Sequence, residues 1–336
     1  MTSSPPRISV LLPCWNAAAT LNEALASLAR QTLSDLEVVA VDDGSDDDTP
    51  SILADWGDRD SRINVISTPP RGIVAALDAA AERAQCDILA RMDADDIAAP
   101  QRLERQLAFL DTHRDLSACG SRIRYTPRER LKDGALRYEQ WINSVVTVDD
   151  MERDLFVECP IPHPTLVMRK AAFDAVGGYR DNGWPEDYDL LLRFWESDHR
   201  FGKVPDVLLD WYEGPDRLSR TDRRYSEDAF RACKVHFLRS RIAGRSVVVC
   251  GAGPIGKTFA RALQREDHNV VAFVDLDPRK IGQIIHGAPV IQPSAIGDYR
   301  AAYVVAAVGS PGAREEIRAS LRSAGLDEPG DFCAVA

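Results

Sequence analysis

Carboxylates gather in this sequence at the points where apolar runs end. Residues 8–12 lead into Pro13-Cys14-Trp15-Asn16, and residues 37–41 into Asp42-Asp43-Gly44-Ser45. Residues 87–90 lead through Arg91-Met92 into Asp93-Ala94-Asp95-Asp96. Alternate side chains of an extended segment share one side, so Asp93 and Asp95 point the same way. Like charges held that close are costly unless a cation or hydrogen-bond donors offset them. Oxygen-only ligands suit a hard divalent ion, Mg2+ or Mn2+, whose coordination an anionic diphosphate can complete. Each segment alone also reads as a solvated turn, with Asp96 merely leading into the helix after Pro100. Their recurrence at three successive strand ends favours chemistry.

A second acidic group, Glu186-Asp187-Tyr188-Asp189, follows the turn Gly177-Gly178-Tyr179 and opens a helix read over residues 186–197. A helix N-terminus favours an ionised carboxylate, so Glu186 and Asp187 are candidates for a general base as well as for plain capping acids. His163 lies in Pro160-Ile161-Pro162-His163-Pro164, just before a strand read at 165–168. Farther on, Gly251-Ala252-Gly253-Pro254-Ile255-Gly256 follows an apolar run, and Asp275 ends the next one. Such glycines let backbone approach a phosphate at a helix N-terminus. They also serve simply to turn the chain and pack helix on strand.

The elements that must position these groups alternate. Strands read at 8–12, 37–41, 63–66 and 87–90 are separated by amphipathic helices read at 20–30, 50–56 and 73–84, the pattern of a mostly parallel, doubly wound α/β sheet. Ligands bind such sheets beyond the carboxyl ends of the strands, where these carboxylates lie. A helix at 101–113 and a strand at 118–125 follow, then a polar stretch, 127–150, read as an excursion over the sheet. After a last strand at 207–212, residues 217–245 are helical and basic, with nine Arg/Lys against three acids. The expected division is a catalytic domain (1–216), a basic helical linker (217–244) and a small Rossmann-like domain (245–336).

The formal net charge of -11 over 336 residues argues against nucleic acid as a partner. Seven scattered cysteines without a C-x-x-C pair read as reduced thiols. The polar start lacks a signal-peptide core, and no apolar run approaches the roughly 18 residues of a membrane span. A cytoplasmic protein is expected, with peripheral contact at the inner face of a membrane open through the basic stretch.

The segment 8–110 resembles the nucleotide-binding half of family-2 inverting glycosyltransferases. The matching pieces are SVLLPCWN, LNEALASLARQT, LEVVAVDDGSDDDT and DILARMDADDIAAPQRLERQ. MRKAAFDAVGGY followed by EDYDLLLR resembles the acceptor side of that family. The resemblance implies a GT-A nucleotide-diphospho-sugar transferase fold, a nucleotide-sugar donor of the UDP type, Mn2+ or Mg2+, and a glycan or lipid-linked acceptor. It implies a donor site on Pro13, Trp15, Asn16, Asp43 and Asp93, with Asp43 on the uracil ring and Trp15 packed against the base. Trp15 departs from the family's Tyr there but keeps a stacking face; otherwise it reads as a core aromatic. Asp95 is implied to carry the metal, His163 to lie near the diphosphate or metal, Asp187 to be the base, and Glu186 to touch acceptor or sugar. Arg217 and Ser219 fall, on a looser match, where the family has a phosphate-closing segment.

GAGPIGKTFARAL, VVAFVDLDPRKIGQIIHGAPVI and VVAAVGSPGAREEIRASL resemble the N-terminal nucleotide-sugar-binding domain of bacterial sialic-acid-type O-acyltransferases. The chain stops before the hexapeptide repeats of those enzymes, so no acyl transfer is expected. A second nucleotide site on Gly251, Gly253, Gly256 and Asp275, or a dimerising role, stays open. The competing readings are an NAD-dependent oxidoreductase using those glycines, which leaves the N-terminal carboxylates unexplained, and a catalytically silent nucleotide-sugar sensor, against which Asp95 and Asp187 count.

Overall fold

The computed structural model describes residues 5–214, 217–310 and 312–336. They form two compact units: one of Met1–Val148, Pro160–Asn182 and Glu186–Thr221, the other of Asp149–Cys159, Gly183–Pro185 and Asp222–Ala336.

The first unit begins with the alternation expected: β1 (Ile8–Cys14), α1 (Leu21–Ala29), β2 (Leu36–Asp42), α2 (Thr49–Arg59), β3 (Ile63–Ser67), α3 (Ile73–Arg83) and β4 (Ile88–Arg91). Then come β5 (Ile97–Ala98), α4 (Arg102–Thr112), β6 (Leu116–Thr126), α5 (Asp133–Ser144) and α6 (Val148–Asp154), the last mostly in the second unit. β7 (Val167–Arg169), α7 (Lys170–Ala175), α8 (Glu186–Glu196), β8 (Arg200–Tyr212) and α9 (Leu218–Thr221) complete it. The eight strands form one sheet in the order β3-β2-β1-β4-β7-β6-β8-β5. β1 pairs in parallel with β2 and β4, while β7 runs antiparallel to β4 and β6. The chain's winding reverses between β1 and β4, so the crevice for a ligand opens there. β1 is an interior strand, between β2 and β4, because Ile8, Val10, Leu11 and Leu12 are apolar on both faces, and all four are fully buried.

Two stretches differ from expectation. The excursion at 127–150 contains α5, whose Ala135, Tyr138, Trp141 and Ile142 pack with Tyr125 and Leu209 in a small aromatic-rich core. β8 is longer than the strand expected at 207–212 and starts at Arg200. Its first half carries Gly202 and Pro205; the pairing with β6 jumps from Ser121↔Val204 to Arg122↔Val207, and the bulge absorbs the proline.

In the second unit α10 (Glu227–Ile242) precedes β9 (Val247–Cys250), α11 (Pro254–Arg265), β10 (Val270–Val274), β11 (Ile284–Ile285) and β12 (Ala288–Ile291). β13 (Tyr303–Ala306), α12 (Ala313–Ser323) and β14 (Phe332–Ala334) follow. The strands order as β11-β12-β10-β9-β13-β14, parallel except for β11. The stretch 217–244, expected as a linker, is divided between the units at residues 221 and 222. α10 buries Cys233, Val235, Phe237, Leu238 and Ile242. Its basic residues are partly structural. Lys234 donates from a buried Nζ to the carbonyls of Val157 (2.7 Å) and Val335 (3.1 Å), and Arg241 to that of Glu152 (2.9 Å). A count of positive charge therefore overstated the solvated basic surface, and 149–159 joins the second unit because these donors satisfy its carbonyls.

The turn from β9 into α11 is tight. A Cβ on Gly256 would stand 1.8 Å from the Gly251 carbonyl oxygen, and Gly251 itself has φ +106°. Gly256→Ala must push helix from strand. It is expected to destabilise the chain by about 1–3 kcal/mol or more, read as a lower urea midpoint with an unchanged slope. A midpoint equal to that of the parent would refute this packing role.

Candidate active site

The loops after β1 and β2 are laced together. Asn16, at φ +48°, donates its backbone N–H to Ser45 Oγ (2.9 Å), and its side-chain oxygen accepts from Asp46 N–H (2.9 Å). Ala17 N–H reaches Thr49 Oγ1 (2.8 Å), and Ala18 N–H reaches Asp47 Oδ2 (3.0 Å). Asn16 thus shapes the loop pair, and Pro13 is the strand residue that faces Val41. Between them Trp15 projects with 63% of its surface exposed, which removes the reading as a core aromatic and leaves an open ring face at the sheet's carboxyl edge.

Asp43 is nearly buried. Its Oδ1 accepts from Arg71 N–H (2.9 Å) and its Oδ2 from Gly72 N–H (2.7 Å), which ties the β2 end to the start of α3. Gly44, at φ +71°, allows the approach: a Cβ there would lie 2.6 Å from Pro70 Cδ. A carboxylate oxygen has two acceptor directions, so Asp43 keeps capacity for a further donor.

The β4 turn carries the charge. Arg91, buried at the end of β4, ion-pairs with Asp93. Oxygens of Asp93, Asp95 and Asp96 all lie within 4.8 Å of one another. Asp96, absent from the expected site, is fully buried; its Oδ1 accepts from Tyr212 N–H (2.8 Å), and its Oδ2 meets no hydrogen-bond donor. Burial first, and then Asp93 and Asp95, push its carboxyl well above the usual range. Asp95 is raised to about 6 by burial and then by Asp93, while Arg217 and Arg91 pull it back. An orphaned buried oxygen among three hard donors fits a divalent cation. Asp93, Asp95 and Asp96 are the residues that would hold it.

His163 lies outside that carboxylate group. Its Nε2 shares a hydrogen bond with Tyr179 Oη (2.8 Å), and its Nδ1 is 3.7 Å from Glu186 Oε1. Burial, and then Arg91, hold its pKa well below the usual value, so it is neutral. Tyr179 Oη feels Arg91, Glu186 and Asp187 together, and its pKa is raised mainly by burial. The side chains Asp93, Arg91, Tyr179, His163 and Glu186 thus form a chain leading to the N-terminus of α8. Asp187, half-buried there, accepts on Oδ1 from Tyr188 N–H (2.7 Å). The helix end is fixed by buried Asp189, which accepts from Asn182 (3.0 Å) and Arg193 (2.7 Å); Arg193 also donates to the Val176 carbonyl (2.8 Å). Neither Arg91 nor Tyr179 was singled out from sequence, because an Arg inside a strand and a Tyr beside a Gly-Gly turn carry no motif.

In the second unit Asp275 is engaged by its own loop. It accepts from Ala252 N–H and Asp277 N–H and pairs with Lys280, each at 2.9 Å. Gly251 and Gly256 are required by packing; only Gly253, which precedes α11, would have open space around a Cβ.

The carboxyl of Asp95 is raised in the folded chain above its ordinary value of 3.8. The fold therefore loses stability as pH climbs from about 4 through about 6, and the loss persists at neutral pH. Asp95→Asn without added metal is expected to raise the thermal midpoint by a few degrees at about pH 7 and hardly at about pH 4. A fall at pH 7 would show that its charge is not held at a cost.

Residues 9–177, half of the chain, match Glycosyl transferase family 2, and residues 244–329 match a family described as C2185-like, N-terminal. EpsE of Bacillus subtilis is 30% identical over 241 residues, 69% of this chain and 84% of EpsE. The amylovoran biosynthesis glycosyltransferase AmsE of Erwinia amylovora is 29% identical over 218 residues, 63% of this chain and 78% of AmsE. Among solved structures, S. aureus TarS 1–349 in complex with UDP-GlcNAc aligns with a TM-score of 0.54 at 18% identity, over 77% of this chain and 71% of that one. The mannosyltransferase PcManGT from Pyrobaculum calidifontis, in complex with GDP-Man and Mn2+, gives 0.53 at 21% identity, over 79% and 70%. The fold of the first unit is that of these GT-A enzymes, and the chain belongs to glycosyl transferase family 2, whose members move sugar from nucleotide-sugar donors.

Proposed function

We propose that the protein transfers a sugar from a UDP-sugar to a hydroxyl of a glycan or lipid-linked acceptor, with inversion at the anomeric carbon and with a divalent ion, Mn2+ or Mg2+. The observation that carries this reading is the meeting of exposed Trp15, Asp43 and the Asp93-Asp95-Asp96 group at the switch point of one sheet. Trp15 offers a face for the base and Asp43 an acceptor for a ring N–H, as a uracil presents. Asp93 would face the sugar-diphosphate and Asp95 would hold the ion. A bound ion would supply Lewis-acid neutralisation of the charge that develops on the leaving diphosphate.

Asp187 is assigned as the base that takes the proton of the acceptor hydroxyl as its oxygen attacks the anomeric carbon from the face opposite the diphosphate. Glu186, beside it on α8, is assigned to touch acceptor or sugar, with neutral His163 3.7 Å away. Arg217 adds positive charge on the diphosphate side. The neighbours offer precedents for the donor class: TarS is bound to UDP-GlcNAc, and PcManGT to GDP-Man with Mn2+. Relatives such as AmsE point to polysaccharide assembly as the setting. We assign the second unit an ancillary role in binding or association rather than hydride transfer. No helix among the described residues is long and apolar enough to cross a membrane. We assign the reaction to the cytoplasmic side, against the inner face where an acceptor is lipid-linked.

A panel of UDP- and GDP-sugars, with Mn2+ and then with EDTA, tests the reading by nucleotide release. UDP release that needs the ion is expected; equal turnover in EDTA would remove the ion from Asp95. Asp187→Asn should lower kcat by about 100- to 10,000-fold while UDP affinity stays within a few-fold. A variant with parental kcat would end the assignment of the base.

A further inference from the structure

We propose that Asp96 is a positioning residue: its carboxylate clasps the segment leaving β8 and so holds Arg217 toward the carboxylates of the β4 turn. This rests on the reading of Asp93 and Asp95 as groups facing donor and ion, and deepens it by giving Asp96 a task.

β5 is a two-residue strand whose Ile97 and Ala98 pair with Asp210 and Leu209 of β8. One residue earlier the ladder is continued by a side chain instead of the backbone. Asp96 Oδ1 accepts the N–H of Tyr212, the last residue of β8, at 2.8 Å; Asp96 is fully buried and Tyr212 half-buried. Water does not reach that oxygen, so a lost bond leaves Tyr212 N–H without a ready replacement. Directly beyond, Glu213 N–H donates to the Thr126 carbonyl (2.7 Å), and the Glu213 carboxylate pairs with Arg217 (2.6 Å) and Arg220. The Arg217 guanidinium lies over Trp211, 4.3 Å from the ring centroid. Its charge acts on Asp95, Asp96 and Asp93. The cation that answers the acidic turn is thus mounted on the segment that one acid of that turn holds.

An amide at position 96 keeps an acceptor for Tyr212 N–H, whereas a methyl group does not. The full chain is therefore compared with its Asp96→Ala and Asp96→Asn variants. Without ligands, hydrogen exchange is followed in peptides spanning 209–221, and trypsin cleavage after Arg217 and Arg220 is timed. With UDP-GlcNAc and Mn2+, UDP release gives kcat and KM. Asp96→Ala should exchange and be cleaved about 10- to 100-fold faster in this segment alone, with kcat lowered at least as much. Asp96→Asn should stay within about threefold of the parent in exchange and cleavage, both read without the ion, while its kcat falls with the lost carboxylate charge. Should the Ala variant not fold, Asp96→Ser, whose hydroxyl falls short of Tyr212, takes its place. Unchanged exchange in the Ala or Ser variant overturns the proposal, as does loosening spread over the whole first sheet, or an Asn variant as loose as Ala. Exchange and cleavage are read without substrate. A parent chain that released no UDP would end the transferase reading and leave the clasp to stand or fall on those two measurements.

Discussion

Negative charge concentrated at one sheet edge governs the first unit. Asp93, Asp95 and Asp96 bring their oxygens within 4.8 Å of one another at the end of β4. Mutual repulsion at such distances inside protein is severe, so the surroundings must supply positive charge. They do so with groups that are themselves buried. Arg91 pairs with Asp93, and Arg102, fully buried at the start of α4, donates to the Arg91 carbonyl (2.6 Å) and to Gln106 (3.1 Å). Gln106 in turn donates to the Thr165 carbonyl (2.7 Å), in the turn that carries His163. The prop for the acidic turn and the prop for the histidine are one run of contacts.

That run leads from one candidate group of carboxylates to the other. The first lies where the carboxyl ends of β1, β2 and β4 meet at a topological switch point. The second lies at the N-terminus of α8, anchored by Asp189, Arg193 and Asn182. Between them stand Arg91, Tyr179 and neutral His163. A charged histidine there would face a buried arginine, and burial with Arg91 keeps the proton off. The Nε2 of His163 is engaged by Tyr179 Oη, and its Nδ1 lies 3.7 Å from Glu186 Oε1.

Much of this is legible in the sequence. The alternation of β1 to β4 with α1 to α3 follows from apolar runs of strand length separated by helical periodicity, and local pattern dominates where a sheet is parallel and buried. Asp43, Asp93 and Asp95 stand out because motif and strand end coincide, and Asp187 because a motif coincides with a helix start. α5 is hard to read in the sequence although Ala135, Tyr138 and Ile142 recur at helical spacing, because the polar residues between them outweigh a narrow apolar stripe. The first half of β8 was hidden by Gly202 and Pro205, which only a bulge reconciles with a strand.

The sequence by itself determined the fold class, the strand ends that carry carboxylates and the family, since each depends on residues close together in the chain. Tertiary structure alone decided which carboxylates converge and what answers them. Asp96 looked like a helix lead-in until Tyr212, 116 residues away, proved to be its donor. His163 reads from sequence as lying near the diphosphate or metal, and the fold sets its Nε2 against Tyr179 Oη and its Nδ1 3.7 Å from Glu186. Lys234 and Arg241 looked like a basic surface until their heads were found buried on carbonyls. The reason is the same in each case: the charge and hydrogen-bonding state of a polar group is set by neighbours that burial brings to it, and those neighbours are far away in sequence.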